Sequence, residues 1–241
     1  MLGGKRVIAV VPARGGSKGV RLKNIHPLCG IPLIAHVGAL VRELGYFDRA
    51  VVSTDHPVIA ETARASGLDV PFVRPAELSG DLIGDYQVLS HALAELERLD
   101  GARYDVVTML QPTSPLRRPS HVTATVIKLI DEGWDAVWTV SRTDPKYHPL
   151  KQLKIGADGA MDYYSAEGGA IIARQQLDQV YHRNGAAYAF TRACLVEQQT
   201  IKGKRAAAVV IDEPMVSIDT LEDFGKVEHL LGLRAMERRP E

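Results

Sequence analysis

The chemistry of this chain is easiest to see in residues 6–24, RVIAVVPARGGSKGVRLKN, where Arg14, Lys18, Arg21 and Lys23 stand among Gly15, Gly16 and Gly19. Glycine lets backbone N–H groups close on an anion. Arg adds a planar fork for phosphate oxygens, and Lys a mobile point charge. The loop lacks the Gly-Lys-Ser/Thr ending of a P-loop and the three-glycine spacing of the dinucleotide fingerprint. A solvated basic surface loop is the plain alternative. The apolar run 7–11 directly before it favours a ligand, because α/β proteins bind ligands at the carboxyl ends of their strands.

Other residues could meet this loop. The stretch 111–118, QPTSPLRR, follows an apolar run and is stiffened by Pro112 and Pro115. Arg174-Gln175-Gln176 and Arg183-Asn184-Gly185 form two polar groups further on, and Asp219 follows the last apolar run. Asp55 has a plain explanation as a helix cap, whereas Asp81 has none. Cationic loops with one or two carboxylates suggest a magnesium-bound nucleoside triphosphate. Such chemistry rests on positioning and charge neutralisation, so no nucleophilic triad is needed. None is visible: there is no GxSxG, no HExxH, and Cys29 and Cys194 fit plain buried positions. Of the histidines, His26, His148 and His182 lie in the loops of interest. Trp134 and Trp138 suit a core or interface strand.

The elements that must carry these loops follow from the apolar pattern. Strands are expected at 7–11, 50–53, 70–73, 104–110, 136–140, 186–190 and 207–211. Helices are expected at 33–44, 57–66, 86–99, 120–131, 192–199 and 221–231, with Asp55 capping the second and Asp219 or Thr220 the last. The alternation predicts an α/β fold: a doubly wound, mostly parallel sheet with helices on both faces. Residues 142–182 break the pattern and are expected to be an inserted β-rich arm, suited to dimerisation. The whole chain, 1–241, is expected to be one domain, with a frayed tail at 234–241.

With 241 residues and a formal net charge of zero, there is no bulk signal for nucleic acid or a membrane surface. No apolar run approaches a membrane span, and the N-terminus resembles a core strand more than a signal peptide. A cytoplasmic enzyme with a small anionic ligand is the expectation.

The order IAVVPARGGSKGVRLKN, VVSTD, RPAELSGD, TMLQPTSPLRR, RQQLDQVYHRNGAAY, SIDTLEDF resembles the acylneuraminate cytidylyltransferases, from about residue 7 to 231. The resemblance implies a nucleotide-diphospho-sugar transferase-like fold, a homodimer joined by the arm, and magnesium. It implies a reaction in which CTP and a 2-keto acid sugar of the sialic (nonulosonic) type give the CMP-sugar and pyrophosphate. By the same resemblance, Arg14, Gly15, Lys18, Lys23, Asn24 and Asp81 bind the nucleotide, with Arg14, Lys18 and Asp219 carrying catalysis. Gln111, Arg174, Gln175 and Asn184 lie at the sugar, and Asp219 holds magnesium with Ser217 beside it.

Two positions depart from the family pattern. Ser217-Ile218-Asp219 replaces the usual Asp-Ile-Asp, so one metal carboxylate becomes a hydroxyl. Leu82-Ile83-Gly84-Asp85 replaces a Thr-Ser-Ser run that contacts base and ribose. Three readings therefore stand: a nonulosonic acid cytidylyltransferase, a relative using a phosphonate or sugar phosphate acceptor or another triphosphate, and a non-catalytic nucleotide-binding protein.

Overall fold

A computed structural model describes residues 1–237. The strands, in chain order, are β1 (Val7–Pro12), β2 (Pro27–Leu28), β3 (Ile31–Pro32), β4 (Arg49–Ser53), β5 (Val106–Met109), β6 (Ala136–Arg142), β7 (Leu153–Ile155), β8 (Met161–Tyr163), β9 (Tyr181–Thr191) and β10 (Ala206–Val210). The helices are α1 (Leu33–Leu44), α2 (Pro57–Ala65), α3 (Asp85–Asp100), α4 (Pro119–Glu132), α5 (Arg192–Val196) and α6 (Leu221–Glu237). Six strands form one sheet in the order β10-β6-β9-β5-β1-β4. All neighbours in it run parallel except β9, which is antiparallel to both β5 and β6. This is the mostly parallel sheet expected from the alternation.

β1 shows why both faces must be covered. Its residues Val7 to Val11 are all buried, as in a strand with helices above and below. Ile8 and Val10 pack with Leu89, Leu93 and Leu96 of α3. Ala9 and Val11 face the other way, against Ile34 and Val37 of α1, Ile59 of α2 and Val122 of α4. Phe224 and Val227 of α6 close a further cluster with Val20, Leu33 and Leu116.

Several expectations are corrected. Residues 70–73 are not a strand; just before them Asp69 forms a bridge to Val51 of β4, and just after them Arg74 N donates to the Thr54 carbonyl. Pro71 has no N–H to give a ladder, which ends the pairing. Asp55 does not cap α2, whose cap residue is His56. β9 begins at Tyr181, ahead of the expected 186 and inside the end of the arm. The arm, 142–182, holds the β7–β8 hairpin, several short 3-10 turns, among them Pro145–Tyr147 and Arg174–Gln176, irregular stretches and the first residues of β9. α6 continues past 231 to Glu237, so 234–237 are helical and not frayed; residues 238–241 lie outside the described residues. Thr220 is the cap of α6: its N–H and Oγ1 both bond Asp223 Oδ2, at 2.9 Å each.

Candidate active site

The loops after β1 and β5, the segment from Arg74 into the first turn of α3, and the segment before α6 surround a cleft of about 450 Å³. Arg14, Lys18, Gly19, Lys23, Asn24, Arg74, Asp85, Gln111 and Asp219 are among the residues lining it. It sits at the carboxyl ends of parallel strands, where the chain leaves the sheet and backbone groups are free to bind.

The basic loop is held from below. Gly15 N donates to Asp55 Oδ1 at 2.8 Å, so Asp55 anchors this loop. Buried Asn24 donates from Nδ2 to the Arg14 carbonyl at 3.1 Å. Both hold the backbone so that Arg14 and Lys18 project over the cleft. Arg14 Nη1 lies 2.7 Å from Asp81 Oδ1, and Lys18 Nζ lies 2.7 Å from Asp81 Oδ2. Lys18 and Arg14 together hold the exposed Asp81 carboxyl below the usual carboxylate range. Asp81 thus takes the place on these two cations that an anionic ligand would need.

Asp219 is placed by backbone chemistry. Ile218 N donates to the Thr113 carbonyl at 2.8 Å, and the Ile218 carbonyl accepts from Lys23 Nζ at 2.7 Å. The same Nζ is 2.8 Å from Asp219 Oδ1. Lys23 therefore joins the basic loop to the acidic segment as well as lining the cleft. Gly19 lies so close that an added Cβ would stand 2.2 Å from the Asp219 carbonyl oxygen. Ser217 is exposed and is not among the lining residues, although Asp219 is.

The wall beside Gln111 is built at a bulge. The pairing of β6 with β9 jumps from Trp138–Tyr188 to Val140–Arg183, so residues 184–187 leave the ladder. Asn184, buried, fills the gap: its Oδ1 accepts from Thr139 Oγ1 at 2.7 Å and from Ala186 N at 3.2 Å, and its Nδ2 donates to Ser141 Oγ at 3.0 Å. Its side chain is therefore engaged within the protein and shapes the wall through its backbone. Gly185 has φ 73° and lets Gln111 and Ser114 in; a Cβ there would be 2.3 Å from Ser114 Oγ and 2.9 Å from Gln111 Oε1. Beneath the same turn lies Arg117, whose Nε donates to the Ser114 carbonyl at 2.9 Å and whose pKa is lowered to about 9 by burial.

Among the lining residues that the sequence reading did not assign to the site, Arg74 and Asp85 carry charge. Arg74 is buried, with Nε 3.0 Å from Ser53 Oγ and Nη2 bonded to the Ser53 carbonyl; burial lowers its pKa to about 10. Asp85 opens α3, and burial raises its carboxyl above the usual range against the opposing pull of Arg183 and Arg74. The signal for Arg74 was present, as the first residue of RPAELSGD.

Arg174 and Gln175 are not brought to this cleft. They lie in the arm, where Arg174 borders a separate cavity of about 240 Å³ with Leu150, Tyr163, Ile171 and Leu177. His26, His148 and His182 are not among the residues lining the cleft either. Cys194 is buried, donates to the Thr200 carbonyl and has its thiol pushed up to about 11, as an inert core thiol would. Cys29 is exposed, contrary to expectation, at the tip of the β2–β3 hairpin with its N–H on Glu228.

Residues 8–238 match a family model described as cytidylyltransferase. The chain is 30% identical over 223 residues to the pseudaminic acid cytidylyltransferase of Campylobacter jejuni subsp. jejuni, covering 91% of this chain and 94% of that one. It is 32% identical to an N-acylneuraminate cytidylyltransferase of Oncorhynchus mykiss, over 93% of this chain and 50% of the relative. A similar enzyme of Escherichia coli O18:K1:H7 is 29% identical, over 91% and 50% respectively. The chain therefore spans about half the length of these N-acylneuraminate relatives. Among solved structures, a CMP:2-keto-3-deoxy-manno-octonic acid synthetase complexed with CTP shares the fold at a TM-score of 0.69 and 18% identity, over 95% of this chain and 99% of that one.

Proposed function

The chain belongs to the acylneuraminate cytidylyltransferase family, and from that premise we propose that it transfers CMP from CTP to a sialic-type 2-keto acid sugar and releases pyrophosphate. The observation that carries this reading is the convergence of Arg14 and Lys18 on one carboxylate, in a cleft that also holds Asp219 and Gln111.

Arg14 and Lys18 bind the β- and γ-phosphates and offset the charge that builds on them as pyrophosphate leaves. The anomeric hydroxyl of the sugar attacks the α-phosphorus opposite the breaking bond to pyrophosphate. Gln111, placed by the close approach of Gly185, orients the sugar on the attacking side. Lys23 holds Asp219 at the junction of the two half-sites.

Asp219 fits a magnesium ion that arrives with the triphosphate. It is exposed to the cleft, and among the described residues no cluster of three His, Cys, Asp or Glu would cage a metal unaided. Phosphate oxygens and water supply the remaining ligands in such sites. The ion would screen the α-phosphate and ease ionisation of the attacking hydroxyl.

Arg174 enters this scheme across a homodimer. It lies outside the cleft of its own chain, and its arm exposes Ile155, Met161, Tyr164 and Ile172. An arm of this kind fits a second copy of the chain and would carry Arg174 to the partner's sugar carboxylate, as a bidentate fork.

The test is pyrophosphate release with each of the four ribonucleoside triphosphates and magnesium, alone and with N-acetylneuraminic acid, pseudaminic acid or 2-keto-3-deoxy-manno-octonic acid. Release that needs CTP and one sugar acid supports the proposal and names the acceptor. Release with none of them overturns it.

A further inference from the structure

The two edges of the main sheet are finished differently. Beyond β4 the segment 69–74 covers the edge: Val52 N donates to the Asp69 carbonyl, Asp69 N to the Ala50 carbonyl and Arg74 N to the Thr54 carbonyl. β10, at the other edge, has β6 as its one strand neighbour among the described residues. Ile211 N donates to the Val140 carbonyl. N–H groups alternate in direction along a strand, so Ala207 and Val209 also face β6, while Ala206, Ala208 and Val210 turn theirs outward. An open strand edge is a template for pairing, and proteins usually blunt it with a charge, a proline or a bulge. Ala206–Val210, AAAVV, has none of these. The charges stand at its two ends instead, with opposite signs: Lys202, Lys204 and Arg205 before it, Asp212 and Glu213 after it.

We propose that β10 is a self-pairing edge, joining antiparallel to β10 of a second copy of this chain about a twofold axis at Ala208. An antiparallel partner reverses the order of charges, so the basic start of one strand lies beside the acidic end of the other. A parallel partner would set like charges side by side. With Ala208 opposite the partner's Ala208, Ala206 opposes the partner's Val210, and each outward N–H meets an outward carbonyl. Continuing the same register, Lys204 opposes the partner's Asp212, with both side chains on one face of the joined sheet. Both residues are exposed, and Lys204 has no side-chain partner among the described residues. Asp212 Oδ1 lies 3.1 Å from Arg142 Nε, an exposed pair of the weak kind, so its carboxylate is able to take a second cation. Ala208 and Val210, exposed on that face, gain apolar cover. This surface is separate from the arm. Two arm-joined pairs would meet through it as a four-chain assembly with two kinds of twofold interface.

The experiment is sedimentation velocity of the full chain, from about 1 to 100 µM at low salt, for wild type and three variants. Ala208→Pro removes an outward N–H and no bond to β6, so the fold should persist, as an edge strand allows. Its assembly should have half the wild-type mass, whether wild type is two chains or four. Lys204→Glu should weaken association about 10-fold, and Lys204→Glu with Asp212→Lys should restore it. A wild type that sediments as one chain at every concentration overturns the proposal. So does a mass that folded Ala208→Pro leaves unchanged, the result expected of a dimer held by the arm alone. If Ala208→Pro does not fold, the charge pair decides: association unaffected by Lys204→Glu, or not restored by the double variant, overturns the pairing.

Discussion

The Asp81 carboxylate and the Arg14 guanidinium face each other at 2.7 Å, with Lys18 on the second carboxylate oxygen. An internal anion therefore already neutralises the two cations proposed to hold the triphosphate. Binding has to displace it. Asp81→Asn should raise affinity for CTP and for pyrophosphate by roughly fivefold at low salt, less as salt screens the competition. Titration calorimetry at two ionic strengths tests this. Weaker binding would mean that the carboxylate serves the nucleotide instead. Because its pKa is depressed, the contact is formed at neutral pH and is lost only as the pH falls through that lowered value.

Arg14→Ala and Asp219→Ala should each lower kcat/KM at least about 100-fold, the scale of removing one group that offsets transition-state charge. Neither side chain is part of the core, so thermal unfolding should stay within a few degrees of wild type. Activity near wild type in either variant would move the site elsewhere.

Gly19→Ala tests a close approach. Its Cβ would enter the space of the Asp219 carbonyl at 2.2 Å, and a backbone atom cannot swing aside as a side chain can. The cost should be about 1–3 kcal/mol in chemical denaturation. Turnover should fall further than stability, because the atom displaced lies on the proposed metal carboxylate's own residue.

Asn184→Ala would leave Thr139 Oγ1, Ala186 N and Ser141 Oγ without their shared partner. A loss of about 2–4 kcal/mol is expected. KM for the sugar should rise more than KM for CTP, since the bulge carries Gly185 against Gln111.

Asp85→Asn should be more stable than wild type at neutral pH. The folded carboxyl has a raised pKa, so the native state binds its proton more tightly than the unfolded chain. Stability therefore falls as pH rises from the usual carboxylate range through the raised folded value. The amide binds no proton in this range, so its stability lacks this pH dependence. Melting curves from pH 3.5 to 7.5 should show the variant's advantage growing with pH, and a constant difference would contradict it.

A mixture of inactive Arg14→Ala and Arg174→Ala chains should recover activity if Arg174 works across a dimer. Each mixed dimer would then hold one cleft with both side chains intact. No recovery, with exchange shown by size-exclusion chromatography and labelled chains, would mean that Arg174 does not act across a dimer.

Much of this molecule is legible in the order of its residues. A continuous apolar run such as 7–11 can satisfy its burial only between two layers of helices, so the mostly parallel sheet and the helices on both faces follow from local pattern. Glycines beside cations mark an anion loop for an equally local reason. The segment 70–73 failed because its apolar residues suggested a strand while Pro71 removed the N–H that a ladder needs. Asp55 failed as a cap because a carboxylate near a helix start has several donors within reach, and only the fold brings Gly15 N to it. Asp81 on Arg14, Lys23 on Asp219 and Ile218 on Thr113 join residues 67, 196 and about 100 positions apart. Contacts of that kind have no period or spacing in the sequence. Tertiary packing alone decided them, as it decided that Asp85 and Arg74 line the same cleft.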